Sequence, residues 1–208
     1  MAINMKTTLK KITLQGEQSA AILQRIMTQN IKSCTTPLLS AICNASGKVI
    51  TTFWVSATQN QIHIYIDQSQ AALLLKALRY YDPFRELQFH LSNGTIYASK
   101  TFIFSENPLN ETGNWTLFLI QQSIVNITPA HSEKYTPHML GLDKHQAICF
   151  KKGCFVGYEV IARTQFKGKT KRVICYQTSV TEPDNLQTVI NHTVEQKTHH
   201  YLSLISAC

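Results

Sequence analysis

Residues 150–172, FKKGCFVGYEVIARTQFKGKTKR, hold one cysteine, three glycines and a run of basic residues. The spacing of the apolar residues predicts that a loop turns into a helix within this stretch. Three of these residues could form the buried stripe of that helix: Val156, Val160 and Ile161. Glu159 and Arg163 are four residues apart, a spacing at which helix side chains meet, so we expect this pair to brace the helix.

Cys154 is expected where that helix begins. The partial positive charge of a helix N-terminus and the ammonium groups of Lys151 and Lys152 would favour a thiolate, the nucleophilic and metal-binding form of cysteine. The alternative is that Cys154 is a small buried residue beside two solvated lysines. Spacing alone favours this alternative, because a single cysteine is weak evidence for chemistry.

Length and composition suit one domain, or one domain with a small appendage. The chain has 208 residues, of which 44% are hydrophobic and 15% charged, and no segment has a disordered composition. Its net charge of +8 favours anionic partners such as phosphates, a polyglutamate tail, acidic protein faces or nucleic acid. Direct nucleic-acid binding is the weaker interpretation, because the basic residues of 151–172 do not interleave with a stack of aromatic residues.

The six cysteines do not suggest a metal site or a secreted protein. None forms a CxxC pair, and none lies near a histidine at zinc spacing. The N-terminal residues lack the long apolar stretch of a signal peptide, and no run approaches membrane-spanning length. We therefore predict no bound metal, a cytoplasmic location and reduced thiols.

Periodicity predicts two helices and a mostly antiparallel set of strands. Helices are expected at 18–29 and 68–81. Strands are expected at 7–14, 37–43, 48–57, 62–66, 84–91, 95–104, 115–120 and 172–178, with two short runs, 186–191 and 201–206, after them. Asn93-Gly94 is the strongest hairpin signal and should pair 84–91 with 95–104. This order of elements predicts an α+β fold.

The stretch that contains Cys154 resembles the signature of the YgfZ family. That signature runs lysine, glycine, cysteine, aromatic, any residue, glycine, glutamine and glutamate, followed by an arginine and a second basic–glycine element. Nine residues match it in place: Lys152, Gly153, Cys154, Phe155, Gly157, Glu159, Arg163, Lys167 and Gly168. The resemblance extends over residues 7–176, through the strand, glycine and helix of 12–30 and the hairpin of 41–48.

The resemblance implies a folate-binding α+β fold like that of the aminomethyltransferase (T-protein) of glycine cleavage. It also implies an accessory role in the assembly or repair of iron–sulfur proteins, including tRNA-modifying enzymes. Iron–sulfur client proteins or the assembly machinery would be the partners, and tetrahydrofolate the ligand that the fold could bind. Residues 1–172 would form the folate-binding-like domain, with a second half shortened at 92–150, and 173–208 a remnant of the C-terminal β-barrel.

Two departures from the family pattern weaken its folate site. Tyr158 stands where the signature has glutamine, and a phenol cannot reproduce the paired donor and acceptor of an amide. The acidic residue and glycine that follow the Trp115 strand in the family are replaced by Gln121 and Ser123. A carboxylate would suit the donor edge of a pterin, so a pocket containing Trp115 and Gln121 would bind folate weakly.

Residues 51 and 52 argue against aminomethyl transfer. In the T-proteins, the Asn-x-Ser-Gly hairpin leads to an aspartate that handles a proton near the folate nitrogen, which requires a carboxylate on a rigid support. This chain has the hairpin as Asn44-Ala45-Ser46-Gly47, but Thr51 and Thr52 follow it. Threonine has no useful pKa for that role, so we favour a non-enzymatic helper over a folate-dependent one-carbon transferase. A basic RNA-binding domain is the third alternative.

Because Cys154 matches the defining cysteine of the family signature, we favour a functional role for it over a structural one. Its expected chemistry is that of a redox-sensitive or cluster-contacting thiolate, with Lys152 lowering its pKa. A lone thiolate cannot hold a cluster, since stable clusters take about four ligands. Cys149 and Cys175 are expected to be core residues. Four further basic residues form either a solvated face or an anion-docking patch: Lys167, Lys169, Lys171 and Arg172.

Overall fold

A five-stranded antiparallel sheet is the largest element of the computed structural model, which describes residues 5–58, 61–183 and 188–207. Its strands follow one another in space in the order β2-β3-β4-β1-β5. The strands are β1 (Leu9–Gln15), β2 (Leu38–Cys43), β3 (Val49–Ala57), β4 (Ile62–Asp67) and β5 (Gln88–Leu91). The predicted strands at 7–14, 37–43, 48–57 and 62–66 are thereby confirmed to within a few residues.

Both faces of this sheet are buried, which explains why β3 is apolar along most of its length. Phe53 and Val55 point toward α1 (Ser19–Ile26) and α2 (Ala71–Tyr81) and form one core with them. Trp54 points the other way, into a second core made by the later part of the chain. The helices end where predicted to within three residues, and α2 stops at Tyr81 because Asp82 precedes a proline.

The predicted hairpin across Asn93-Gly94 is wrong. Strand β5 pairs with β1, while β6 (Tyr97–Ala98) pairs with β7 (Phe104–Ser105) in a separate two-stranded ladder. The amide of Gly94 donates to the hydroxyl of Ser92, and the amide of Ser92 donates to the carbonyl of Lys11 in β1. Ser92, just before the expected turn, therefore continues the pairing of β5 with β1 instead of closing a hairpin.

The predicted strand at 115–120 is a helix, α3 (Trp115–Gln121). The side chain of Asn114 accepts a hydrogen bond from the amide of Leu117 at 3.1 Å, which is the capping contact that starts a helix. A short, mostly apolar run has no periodicity that separates strand from helix. Asn114, directly before the run, is the one feature of the local sequence that indicates a helix.

Three antiparallel strands follow α4 (Tyr158–Lys167) in the order β8-β10-β9. They are β8 (Arg172–Ser179), β9 (Val189–Glu195) and β10 (Thr198–Ser206), with part of the predicted run at 186–191 outside the described residues. Leu202 and Leu204 of β10 belong to the same core as Trp115, so this sheet packs onto the rest of the chain. No helix among the described residues is long and apolar enough to cross a membrane.

Candidate functional site

Helix α4 begins at Tyr158, so Cys154 lies in the preceding loop and not at the predicted helix start. Gly157 caps the helix with a φ of 80°, a left-handed conformation that turns the chain before the first helical residue. The predicted apolar stripe is also only partly correct. Ile161 is buried, whereas Val160 is 38% exposed and Val156 lies before the helix and packs on the core between α1 and α2.

The loop that carries Cys154 is attached at both ends to the segment that ends α1. On one side, the amide of Cys149 donates to the carbonyl of Thr28 at 2.9 Å. On the other side, the amide of Val156 donates to the carbonyl of Arg25 at 3.1 Å. The polypeptide on either side of Cys154 is therefore fixed to one short stretch of backbone.

Lys152 provides a third attachment at the same place. Its half-buried ammonium group donates to the carbonyl of Met27 at 2.6 Å and to that of Gln29 at 2.9 Å. Burial lowers the pKa of Lys152 to about 8, while the nearby thiols of Cys149 and Cys34 oppose that shift. We expected Lys152 to serve Cys154. The structure instead gives it carbonyl oxygens as hydrogen-bond partners.

Gly157 lets the start of α4 touch the β2–β3 turn. A Cβ atom at this position would lie 2.5 Å from the carbonyl oxygen of Asn44 and 3.0 Å from the Cα of Gly47. The turn itself is rigid, because the side-chain oxygen of Asn44 accepts from the amides of Ser46 and Lys48. The family glycine at 157 is thus required for close packing between two backbones.

Cys154 itself is exposed, which excludes the interpretation that it is a small core residue. Gly153 has a φ of 94° and nothing within 4 Å of the position of an added Cβ, so the tip of the loop stands in open space. Phe155, in contrast, is buried and the Lys152 ammonium lies 5.1 Å from its ring centroid. The loop therefore buries its neighbours on one side and presents one thiol to solvent.

Among the cysteines that the structure describes, none forms a metal site with Cys154. Cys34 and Cys43 are buried, and burial raises the pKa of the Cys34 thiol to about 12. Cys149 and Cys175, predicted to be core residues, are half-buried. Within the described ranges, no three histidine, cysteine or acidic residues are grouped closely enough to hold a metal ion.

The remaining residues of the motif have structural contacts or face solvent. Tyr158 donates its hydroxyl to the carbonyl of Phe150 at 3.3 Å and packs edge-on against Phe155. Glu159 and Arg163 are exposed, and they do not form an ion pair, so the predicted brace is wrong. Gly168 ends the helix, with its amide bonded to the carbonyl of Thr164.

The two residues predicted for a weak folate pocket are not brought together. Trp115 is 3% exposed and packs against Trp54, Phe104 and Phe118 with ring centroids 5.6–5.7 Å apart. Its indole nitrogen is buried and has no hydrogen-bond partner among the described residues. Gln121 lies exposed at the end of α3. This pair does not fit a pterin, and no chemical step is assigned to folate.

Thr51 and Thr52 are buried in β3 and are used in internal hydrogen bonds, as expected for ordinary strand residues. Thr51 donates to the side-chain oxygen of Gln70 at 2.7 Å, and Thr52 donates to the carbonyl of Val125 at 3.2 Å. The side-chain nitrogen of Gln70 donates in turn to the side-chain oxygen of Asn126. No carboxylate takes part in these contacts, so they offer no proton acceptor for folate chemistry.

The same network extends to the C-terminal sheet through residues that the sequence did not single out. Asn191 of β9 accepts from the amide of Asn126 at 2.9 Å and donates to its carbonyl at 2.7 Å. Asn126 and Asn191 are 65 residues apart, and Gln70 is 56 residues before Asn126. No local pattern in the sequence could have shown these contacts.

Comparison with solved structures identifies the fold. The chain superposes on the glycine cleavage system aminomethyltransferase T from Bartonella henselae with a TM-score of 0.66, over 97% of this chain and 77% of that one, at 11% identity. The predicted α+β fold of the T-protein type is therefore confirmed. At this identity the likeness concerns the fold alone.

Within this class, the curated relatives confirm the resemblance to the YgfZ family. The tRNA-modifying protein YgfZ of Colwellia psychrerythraea is 25% identical over 236 residues, covering 86% of this chain and 72% of the relative. YgfZ of Buchnera aphidicola is 39% identical over 71 residues, covering 34% and 22%. An uncharacterised protein of Haemophilus influenzae is 25% identical over 198 residues, covering 81% and 70%. No family model matches the chain.

Proposed function

We propose that this chain is a YgfZ-like accessory factor in the assembly or repair of iron–sulfur proteins, including enzymes that modify tRNA, and that it acts through the thiol of Cys154. The observation that carries this proposal is the presentation of that thiol. Cys154 is exposed at the tip of a loop whose two sides are hydrogen-bonded to one backbone segment. Two curated relatives are tRNA-modifying proteins by name, which agrees with this role.

A fixed loop suits a thiol that meets its target on another protein. Because the backbone on both sides of Cys154 is already held, contact with a client requires little ordering of this chain. A single thiolate supplies one of the about four ligands that a stable cluster takes. The cluster is then the cargo, ligated for the most part by the client, and Cys154 acts as a transient ligand or as a redox-active group.

The contacts of Thr51 and Thr52 support a helper over an aminomethyltransferase. General acid–base catalysis at the folate nitrogen requires a group that titrates within hydrogen-bond reach of it. Both threonine hydroxyls instead donate to oxygen atoms inside the protein. We infer that this chain binds tetrahydrofolate weakly or not at all and does not transfer one-carbon groups.

The test is the activity of an iron–sulfur enzyme in cells that lack this protein. Wild-type protein should restore the activity, and Cys154→Ala at the same protein level should not. Cys175→Ala is the matched control, because Cys175 is half-buried on β8 and its loss should leave rescue intact. Full rescue by Cys154→Ala would overturn the thiol mechanism. Tight tetrahydrofolate binding with formaldehyde or methylene transfer by the purified protein would overturn the helper interpretation.

A further inference from the structure

Helix α4 has a solvent face that its packing does not explain. The helix buries Ile161, and its opposite side lines a shallow concavity of about 390 Å³. Five residues at the spacing of a single helix face form this concavity: Glu159, Ala162, Arg163, Phe166 and Lys167. We call it the α4 concavity.

One aromatic ring is among the residues that line this surface. Phe166 is 68% exposed, so most of its side chain is not used in core packing. Its ring is held from one side by Phe150, with centroids 5.5 Å apart and an interplanar angle of 66°. The ring is therefore positioned while most of its surface remains free for a planar ligand.

Cations share the concavity with the ring. Arg163 and Lys167 also line it, and three further exposed cations follow in the next five residues of the sequence: Lys169, Lys171 and Arg172. Glu159 is the one acidic residue between positions 150 and 172. Over the described part of the chain, none of these cations is in an ion pair, so their charge is available to an anionic partner.

We propose that the α4 concavity binds a single-stranded segment of RNA, with a base stacked on Phe166 and the adjacent phosphates bound by Arg163 and Lys167. Single-stranded nucleic acids are bound by this combination of an aromatic platform and a cationic track. An acidic protein is the less favoured partner, because the buried centre of a protein interface is depleted in charged residues, whereas three of the five residues that line this surface are charged. The basic residues of 151–172 do not interleave with a stack of aromatic residues in the sequence, which is why direct nucleic-acid binding was the weaker interpretation there; the structure exposes a single ring beside two of the cations.

The experiment measures fluorescence anisotropy of a labelled oligouridine of about 12 nucleotides, a length within the range that single-strand binding sites cover. Wild-type protein should bind it, with an affinity that falls as salt rises. Phe166→Ala should weaken binding about tenfold with an unchanged salt dependence, since it removes stacking. Lys167→Gln should lower the slope of log affinity against log salt by about 0.7, since it removes one phosphate contact.

Two matched variants control for general effects of exposure and charge. Phe84 is 86% exposed after α2, and Lys100 is exposed between β6 and β7, so Phe84→Ala and Lys100→Gln should bind as wild type does. Cys154→Ala should also bind normally, so this inference and the proposed thiol function can fail separately. Absence of binding at about 0.05 M salt, or equal losses in the control variants, would overturn the proposal. Binding of polyglutamate in preference to RNA would assign the surface to an acidic protein instead.

Discussion

The Cys154 loop and the Thr51–Thr52 pair are both held by hydrogen bonds between distant parts of the chain, but they leave different groups free. In the loop, the backbone and Lys152 make the contacts, and the thiol of Cys154 is left exposed. In β3, the two threonine hydroxyls themselves make the contacts and are fully buried. The side chains of Thr51 and Thr52 are thus closed to a ligand, and the thiol of Cys154 is open to solvent.

This difference shows that rigidity alone does not identify a functional site. Both regions are fixed, and buried polar groups in both are satisfied, as stability requires. What separates them is whether a reactive group remains outside the network. By that criterion the Cys154 loop is suited to act on a partner. The buried network of Thr51 and Thr52 has a structural role, because it joins the large sheet to the C-terminal sheet.

The largest expected effect on the free energy of unfolding comes from adding a side chain at Gly157, where the start of α4 touches the β2–β3 turn. Gly157→Ala should lower the free energy of unfolding by about 3 kcal/mol, because the added Cβ meets the Asn44 carbonyl in a left-handed conformation. Gly153→Ala is the control, since its φ is also positive but its surroundings are open, and it should cost about 1 kcal/mol. Urea unfolding measures both. If both variants lose the same free energy of unfolding, the contact between Gly157 and the β2–β3 turn does not contribute to stability.

A second, smaller effect is expected in the buried network. Gln70→Leu should lower the free energy of unfolding by about 2 kcal/mol, because Thr51 and Asn126 lose a buried hydrogen-bond partner. Gln68→Leu, in the same turn but exposed, should change it by less than about 0.5 kcal/mol. If Gln70→Leu unfolds at the same urea concentration as wild type, the network is not a structural connection.

A third effect depends on pH and concerns the protonation of Lys152. Its pKa is about 8 in the folded protein against an ordinary value of 10.5, so between these values the folded state binds fewer protons than the unfolded state. The stability of wild type relative to Lys152→Met should therefore rise as the pH increases from 8 toward 10.5 and stay constant below 8. Cys34 is present in both proteins, so its titration largely cancels. A stability difference that falls over this range would contradict the burial of the ammonium group.

The sequence was sufficient for the elements with clear periodicity and insufficient for contacts between distant residues. Strands β1 to β4 and helices α1 and α2 alternate or repeat with the expected spacing, and they were predicted correctly. The run at 115–120 is a helix and not the predicted strand, because a short, mostly apolar segment has no period that separates the two. The tight turn predicted at Asn93-Gly94 was overridden by pairing of β5 with β1.

The candidate site shows the same limit. The motif identified Cys154, but the loop that carries it is attached through Lys152, whose carbonyl partners lie 123 and 125 residues away in the chain. The helix starts later than the spacing predicts, because Gly157 takes a left-handed conformation and turns the chain immediately before Tyr158. The exposure of Phe166 likewise depends on which side of α4 packs against the protein.

The alkylation rate of each cysteine in the native protein, followed by peptide mass spectrometry, is the most direct measure of the contrast between open and closed regions. Cys154 should react with iodoacetamide at least about tenfold faster than the half-buried Cys149 and Cys175. Cys34 and Cys43 should react only as fast as the protein unfolds. Protection of Cys154, or modification of Cys34 at the same rate, would contradict a fixed loop that presents one thiol.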